Sequence, residues 1–424
     1  MTQLPNGPTT WSPARIRFAL LALSLGGFGI GSTEFVAMGL LPQIAADLLP
    51  GVHAVSPDDA NAQAGWVISA YALGVVVGAP TIAAAAARWP RKKLLLTLLA
   101  AFTLGTIASA LLPTFGLVLV ARFVSALPHG AYFGIASLVA ASLMGPGKRA
   151  RGVALVLSGL TIANVIGVPA ITWLGQVAGW RIAYLAVAAI FAATFLAVAI
   201  AVPWQPGDPK ATMARELKAF TRAQVWFALA IGAIGFGGLF AVYTYVAPLA
   251  TEVTGLDPSA VPIVLIVIGL GMTAGNLVGG RLADWSVRRS MYLFFAVLAA
   301  ALVLLGFTAS TLVGLCVGVF VVGGASAALS PTIQARLMDV ARDSQSIAAA
   351  LNHSALNIGN ATGAFLGGLA IAAGYGYVAP VWIGLALTGA GIVLALWSFA
   401  LDRARARRGV DVPYATGAVA AIEG

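Results

Sequence analysis

A chain of 424 residues that is 60% apolar and only 9% charged, with a mean hydropathy of +0.95, cannot fold as a soluble globule with a polar surface. Its formal net charge of +10 is spread over separate short clusters, which excludes a continuous nucleic-acid-binding stripe and fits loops lying against anionic lipid. The single cysteine, Cys316, sits in an apolar stretch and rules out an intrachain disulfide or a cysteine metal cluster; no metal and no cofactor are expected.

The apolar residues come in blocks long enough to cross a bilayer as helices, which takes about 20 residues each. Twelve are predicted, at 18–41, 65–87, 94–112, 115–144, 152–175, 182–202, 223–250, 260–283, 291–308, 311–334, 347–373 and 377–401. The expected fold is an all-α polytopic membrane protein. The first block is too long for the apolar part of a signal peptide and is expected to be retained.

In chain order, the first block carries GIGSTEFVAMGLLP at 29–42 and, within it, its one charge, Glu34. An intramembrane acid is costly unless paired, hydrated or able to take up a proton, so Glu34 reads as a proton or substrate site, or else as a scaffold carboxylate fixed by an arginine. The second block holds Tyr71. The fourth holds Arg122, His129 just after Pro128, and Phe133. Arg122 and Glu34 are expected at similar depth, about 10 Å below their helix ends, where they could face each other. His129 is a candidate for a proton path or a packing histidine. Ser125 and His129 share a helix face, but no third group orients the base, so no enzyme is expected.

The fifth block carries Asn164, with Gly159, Gly167, Pro169 and Gly175. Tyr243, Tyr245 and Trp382 are, with Tyr71 and Phe133, candidate cavity aromatics, and Asn164 and Asn360 candidate substrate hydrogen-bonders or helix glue. His353 reads as structural. Small-residue ladders such as Gly271, Gly275 and Gly279 permit close helix contact.

If the N-terminus is cytoplasmic, all of the 24 basic residues except Arg122 and Arg181 fall at the inner loops and ends. That skew is what the positive-inside rule demands, and it predicts that both termini are cytoplasmic. The chain also repeats itself. Ser158, Leu160, Ile162, Asn164 and Gly167 match Ser354, Leu356, Ile358, Asn360 and Gly363, while Gly29, Gly31 and Pro42 match Gly235, Gly237 and Pro248. The expected division is a six-helix half at 1–202, a cytoplasmic linker at 203–222 whose ATMARELKAFTR stretch could form a surface helix, a second half at 223–402 and a tail at 403–424. Parallel halves of this kind are a transporter architecture with its site near mid-membrane. GPGKRA at 145–150 does not satisfy the phosphate-loop pattern, so energy is expected from a gradient.

Four stretches carry a family resemblance: STEFVAMGLLPQIAADL, RFVSALPHGAYFGIASLVAASL, GLTIANVIGVPAITWLGQVAGWR and ALNHSALNIGNATGAFLGGLAIAAGYGY. Over essentially its whole length the chain resembles the major facilitator superfamily, and within it the twelve-span drug:proton antiporters, especially the arabinose efflux permeases and their chloramphenicol, purine and sugar exporter relatives. The resemblance implies two pseudo-symmetric six-helix bundles in a bacterial inner membrane, a monomer that partners only small substrates, protons and lipid, and a role in drug efflux. It gives Arg122 a part in proton transfer and makes Gly159, Gly167, Pro169 and Gly175 the antiporter signature. Gly280, Asp284, Arg288 and Arg289 resemble the superfamily's loop signature. The first-half counterparts, Ala83, Ala87, Arg91 and Lys92, lack the acid, leaving Asp284 with Arg288 and Arg289 as the candidate cytoplasmic gate. The expected function is export of a small organic molecule, a drug such as chloramphenicol or a sugar such as arabinose, in exchange for protons. The alternative is proton symport that imports a small sugar or nucleoside.

Overall fold

The computed structural model describes residues 12–86, 88–144, 148–207, 221–341 and 345–407, and among these there is no strand. Eleven helical segments are long and apolar enough to cross a membrane: Pro13–Gly39 (span one), Pro57–Ile82 (span two), Arg91–Leu111 (span three), Phe115–Met144 (span four), Arg151–Ala178 (span five), Trp180–Ala201 (span six), Ala223–Thr244 (span seven), Pro258–Thr308, Leu312–Ala341 (span ten), Leu351–Tyr375 (span eleven) and Ala379–Arg405 (span twelve). The longest leaves helical geometry at Ser286, with φ −164° and ψ 104°, and so makes two crossings, span eight at 258–285 and span nine at 287–308. The reversal is held by the Ser290 hydroxyl, which donates to the Leu282 carbonyl at 2.6 Å. The twelve expected crossings are therefore present, and the even number puts both ends of the bundle on one face.

Local chemistry explains most helix boundaries. Span one opens at Pro13, where a missing N–H costs nothing, behind Ser12, whose hydroxyl accepts from the Arg15 N–H at 3.3 Å. Span four pauses at Leu127 and Pro128 and resumes at His129, as expected where proline withholds a helical hydrogen bond. Span five widens into a π-turn over Ala163–Gly167, immediately ahead of Pro169. The stretch 43–64, which lies between the first two apolar blocks, is folded into short helices Leu41–Leu48, Pro50–Val55 and Pro57–Ala64, each with proline in its first turn. The candidate surface helix of the linker, apart from its last two residues, and the tail beyond 407 lie outside the described residues, as do 145–147 of GPGKRA.

Small residues set the helix spacing. Gly159 and Gly167 lie against span one, the first on the Ser24 carbonyl and the second on Ser32 and Phe28, with no room for a methyl group. The repeat mate of Gly167, Gly363, lies in the same way against Gly237 and Ala241 of span seven. The sequence repeat is thus a packing repeat, in which the fifth helix of each half seats on the first. Gly271, Gly275 and Gly279 of span eight meet Phe320, Gly324 and Ala328 of span ten backbone to backbone, a close approach that supplies dispersion contacts where lipid removes the hydrophobic incentive to associate. The perimeter is apolar, with Leu21, Leu104, Ile200 and Val313 among the exposed side chains, as a lipid-facing surface must be.

Arg336 departs from expectation. Hydropathy places the end of span ten at 334, yet the helix runs on to Ala341 with Arg336 fully buried. Its guanidinium donates to Asp402 Oδ2 at 2.6 Å, Gln224 Oε1 at 2.9 Å and the Ser398 hydroxyl at 3.0 Å, with the Phe399 ring beneath it at 4.7 Å. Spans seven, ten and twelve are tied together there, near the face of the termini. Removing one partner of a buried pair costs roughly 3–5 kcal/mol, so Asp402→Asn is expected to lower the thermal unfolding temperature of the purified protein markedly, whereas Asp284→Asn, at an exposed position, leaves it nearly unchanged.

Candidate functional site

Arg122 organises the centre of the first half. Its side chain is fully buried, and a guanidinium stays protonated in any protein environment, so its charge must be satisfied in place. Nη1 donates to the Thr33 hydroxyl at 3.0 Å and Nη2 to the Thr33 carbonyl at 2.9 Å. The guanidinium carbon also sits 4.2 Å from the centroid of the Tyr71 ring and 5.3 Å from that of Tyr184, where the π faces attract it. Its Nε has no hydrogen-bond partner.

Glu34 follows Thr33 on span one and is buried within electrostatic reach of Arg122. The two do not form an ion pair: among the described residues the pairs within 4.0 Å are Arg181 with Asp47 and Arg336 with Asp402. Asn360 of span eleven brings its amide to the neighbourhood of the Glu34 carboxylate, yet neither its nitrogen nor its oxygen completes a hydrogen bond. Tyr243 of span seven also lies near Glu34, with its hydroxyl unpartnered. Phe35 closes the seam between the halves beside them, stacked on Tyr243 at 5.4 Å and on Phe240 at 6.3 Å.

A second cluster adjoins the first through Tyr71. Its hydroxyl shares a hydrogen bond of 3.3 Å with His129 Nδ1. The His129 ring lies 5.7 Å from that of His353 across the half interface, and Phe133 stacks on His353 at 5.4 Å. Glu34, Arg122, Tyr71, His129 and His353 therefore lie in one line of neighbouring polar side chains that crosses from the first half into the second, with a hydrogen bond between Tyr71 and His129.

The remaining expected residues are placed differently. Asn164 is buried in the π-turn of span five with its side-chain oxygen unpartnered, and its backbone carbonyl abuts Gly269 of span eight. Gly159, Gly167 and Gly175 hold span five flush against span one, with Gly175 also touching Ala183, and Pro169 is buried among them. Tyr245 points away from the termini; its hydroxyl donates to the Ala364 carbonyl at 2.7 Å and fills the space left by Gly65 and Gly368. Trp382 is not brought to the central group: it lies on the perimeter, edge-on to Phe307. Asp284, Arg288 and Arg289 are exposed around the Ser286 turn, where Arg289 covers Trp285 at 5.1 Å and Asp284 makes no ion pair among the described residues.

On the face opposite the termini the halves are closed against each other. The Tyr377 hydroxyl donates to Asp58 at 2.6 Å and accepts from Asn61 at 2.7 Å, and Gln176 donates to the Pro258 carbonyl at 2.8 Å. Burial, reinforced by the adjacent Asp58 carboxylate, pushes the Tyr377 phenol up from its ordinary value and keeps it a donor. On the other contact surfaces, Ser69 donates to the Ala361 carbonyl at 3.2 Å and Ser354 to the Val76 carbonyl at 3.3 Å, joining spans two and eleven.

The family model described as Major Facilitator Superfamily matches residues 23–285 and 229–414. This chain belongs to the Major Facilitator Superfamily. Among superfamily members it is 38% identical to the inner membrane transport protein YdhP of Escherichia coli K12, over 91% of this chain and 96% of the relative. It is 32% identical to a chloramphenicol resistance protein of Streptomyces lividans, over 89% and 95%. In fold it is similar to the D-xylose-proton symporter, with a TM-score of 0.71 at 15% identity, over 91% of this chain and 97% of that one. The chain is accordingly a multi-pass membrane transporter.

Sequence reasoning missed Thr33 and Tyr184 as the partners of Arg122, and the Arg336 knot. Thr33 had a signal in its position beside Glu34; Tyr184 had none. Because lysine offers a point charge where arginine offers a planar fork that also stacks, Arg122→Lys is expected to keep the fold but cut transport to about a tenth or less, measured as substrate flux in proteoliposomes at matched protein loading.

Proposed function

We propose that this protein exports small organic molecules from the cytoplasm of a bacterial cell, across the inner membrane, in exchange for protons. The observation that carries the reading is a buried carboxylate, Glu34, left without an ion-pair partner beside a buried arginine whose hydrogen bonds go to Thr33. A carboxylate so placed is available to a proton or to a substrate. Asn360 and Tyr243 offer unpartnered polar atoms next to it from the other half, so a cargo bound there touches both halves.

The cycle is alternating access by rocking of the halves at 1–202 and 223–402. A proton arriving from outside neutralises Glu34 and weakens its hold on cargo; the cargo leaves outward, the halves reverse, and the proton departs to the cytoplasm as new cargo binds. Tyr71, His129 and His353 extend the polar line along which the proton moves. Asp284, Arg288 and Arg289 gate the cytoplasmic side. The basic skew puts both termini in the cytoplasm. The likeness to a chloramphenicol resistance protein and the glycine and proline run of span five support export, with amphenicols and sugars such as arabinose as the leading cargo classes. Import by proton symport, the alternative, shares the same carboxylate; the likeness to the D-xylose-proton symporter is one of fold.

The test is substrate-induced proton release from purified protein, wild type against Glu34→Gln, over amphenicols, pentoses and purines. One compound that releases protons from the wild type and none from the variant is expected. A signal that survives in Glu34→Gln moves coupling elsewhere, and net uptake driven by an inward proton gradient would establish symport.

A further inference from the structure

Beyond the central group, a separate cavity of about 440 Å³ opens on the face opposite the termini, within the size range of small-molecule sites. Both halves line it: Gln43, His53, Asp58 and Asn61 from the first, Glu252 and Tyr377 from the second. Its lining holds two carboxylates and no lysine or arginine. Acidic residues alone make no site. Here, however, Asn61 is only 6% exposed, gives its nitrogen to Tyr377, and presents a side-chain oxygen with no partner. Gln43 Oε1 is likewise a buried acceptor without a partner, and His53 Nδ1, which donates or accepts according to its tautomer, has none either. Buried acceptors left unmatched in a cavity are expected to be matched by something that enters it.

The carboxylates retain capacity. Asp58 accepts the Tyr377 hydroxyl through Oδ1, and Glu252 accepts the Thr251 hydroxyl through Oε1, each leaving a second oxygen for a ligand. The surplus of acceptors selects a hydrogen-bond donor bearing positive charge and works against an anion. We propose that this vestibule is a second ligand site, which takes a protonated organic amine, its ammonium between Asp58 and Glu252 and its body over Gln43 and Asn61. The site is separate from Glu34 and does not depend on the direction of transport.

The experiment is calorimetric titration of the full chain in lipid nanodiscs with tryptamine, and with its neutral and anionic counterparts tryptophol and indole-3-acetate. Tryptamine is expected to bind wild type and Glu34→Gln alike. Glu252→Gln, at an exposed position whose loss does not threaten the fold, is expected to weaken it roughly tenfold, the scale of one charge-assisted hydrogen bond, and Gln43→Leu to weaken it as well. Indole-3-acetate is expected to give no binding. The proposal is overturned if tryptamine produces no binding signal up to about 1 mM, if tryptophol or indole-3-acetate binds as well, if Glu252→Gln leaves its affinity unchanged, or if binding disappears in Glu34→Gln, which would put the amine in the central site.

Discussion

A guanidinium that keeps its charge, buried in a low-dielectric helix bundle, is the constraint on which the first half depends. Arg122 meets it with two hydrogen bonds to one residue, Thr33, and with the faces of two tyrosines. Each of those partners comes from a different helix, so satisfying one cation fixes spans one, two, four and six relative to one another. The same arrangement leaves Glu34 unpaired. Had the arginine taken the carboxylate, the two charges would have quenched each other, and loading a proton on Glu34 would have meant breaking an ion pair in a medium where such pairs are strong.

The glycine seams determine where this group can sit. Gly159 and Gly167 let span five lie directly on span one, which brings the Asn164 turn to the half interface, where Gly269 of span eight receives its carbonyl. A methyl group at either span-five glycine would meet backbone or neighbouring side chains and separate the helices. The halves share a glycine contact of this kind, Gly269 on Asn164, and add side-chain contacts. These include hydrogen bonds, Ser69 to Ala361, Ser354 to Val76, Tyr377 to Asp58, Asn61 to Tyr377 and Gln176 to Pro258, and ring contacts of Phe35 with Tyr243 and Phe240 and of Phe133 and His129 with His353. The hydrogen bonds among these are ones that water can replace one at a time as the halves part.

Much of this was legible in the sequence because charge is scarce in it. Glu34 and Arg122 stand out as polar breaks in apolar blocks, and counting residues to the helix ends put them at matching depth. The count cannot give azimuth, and in a helix apolar on every side no stripe reveals which way a residue faces; for that reason Trp382 reads as a cavity aromatic and lies on the perimeter. Thr33 is invisible to hydropathy because a threonine costs little in a membrane helix whether or not it holds a cation. Arg336 reads as lying beyond the helix end at 334 because hydropathy falls there. The helix continues because Asp402, Gln224 and Ser398, from two other spans, accept hydrogen bonds from it in place, a fact that belongs to the tertiary structure alone. The folding of 43–64 into three short helices was foreshadowed by Pro42, Pro50 and Pro57, each suited to a first turn.

The two buried arginines invite comparison, since each half has one on its fourth helix. Arg336 is joined directly to a carboxylate and two further acceptors from one compact neighbourhood, the arrangement of a tie that has no reason to open. Arg122 has a carboxylate within electrostatic reach and does not bond to it, while Asn360 and Tyr243 of the opposite half stand beside that carboxylate with polar atoms unpartnered. Buried polar atoms without partners are costly, and a fold keeps them where something else completes them for part of its cycle. The arginine bonded to its carboxylate therefore reads as scaffold, and the unpaired carboxylate marks the neighbourhood of the proposed site, a distinction that burial alone would not draw because both arginine side chains are fully enclosed.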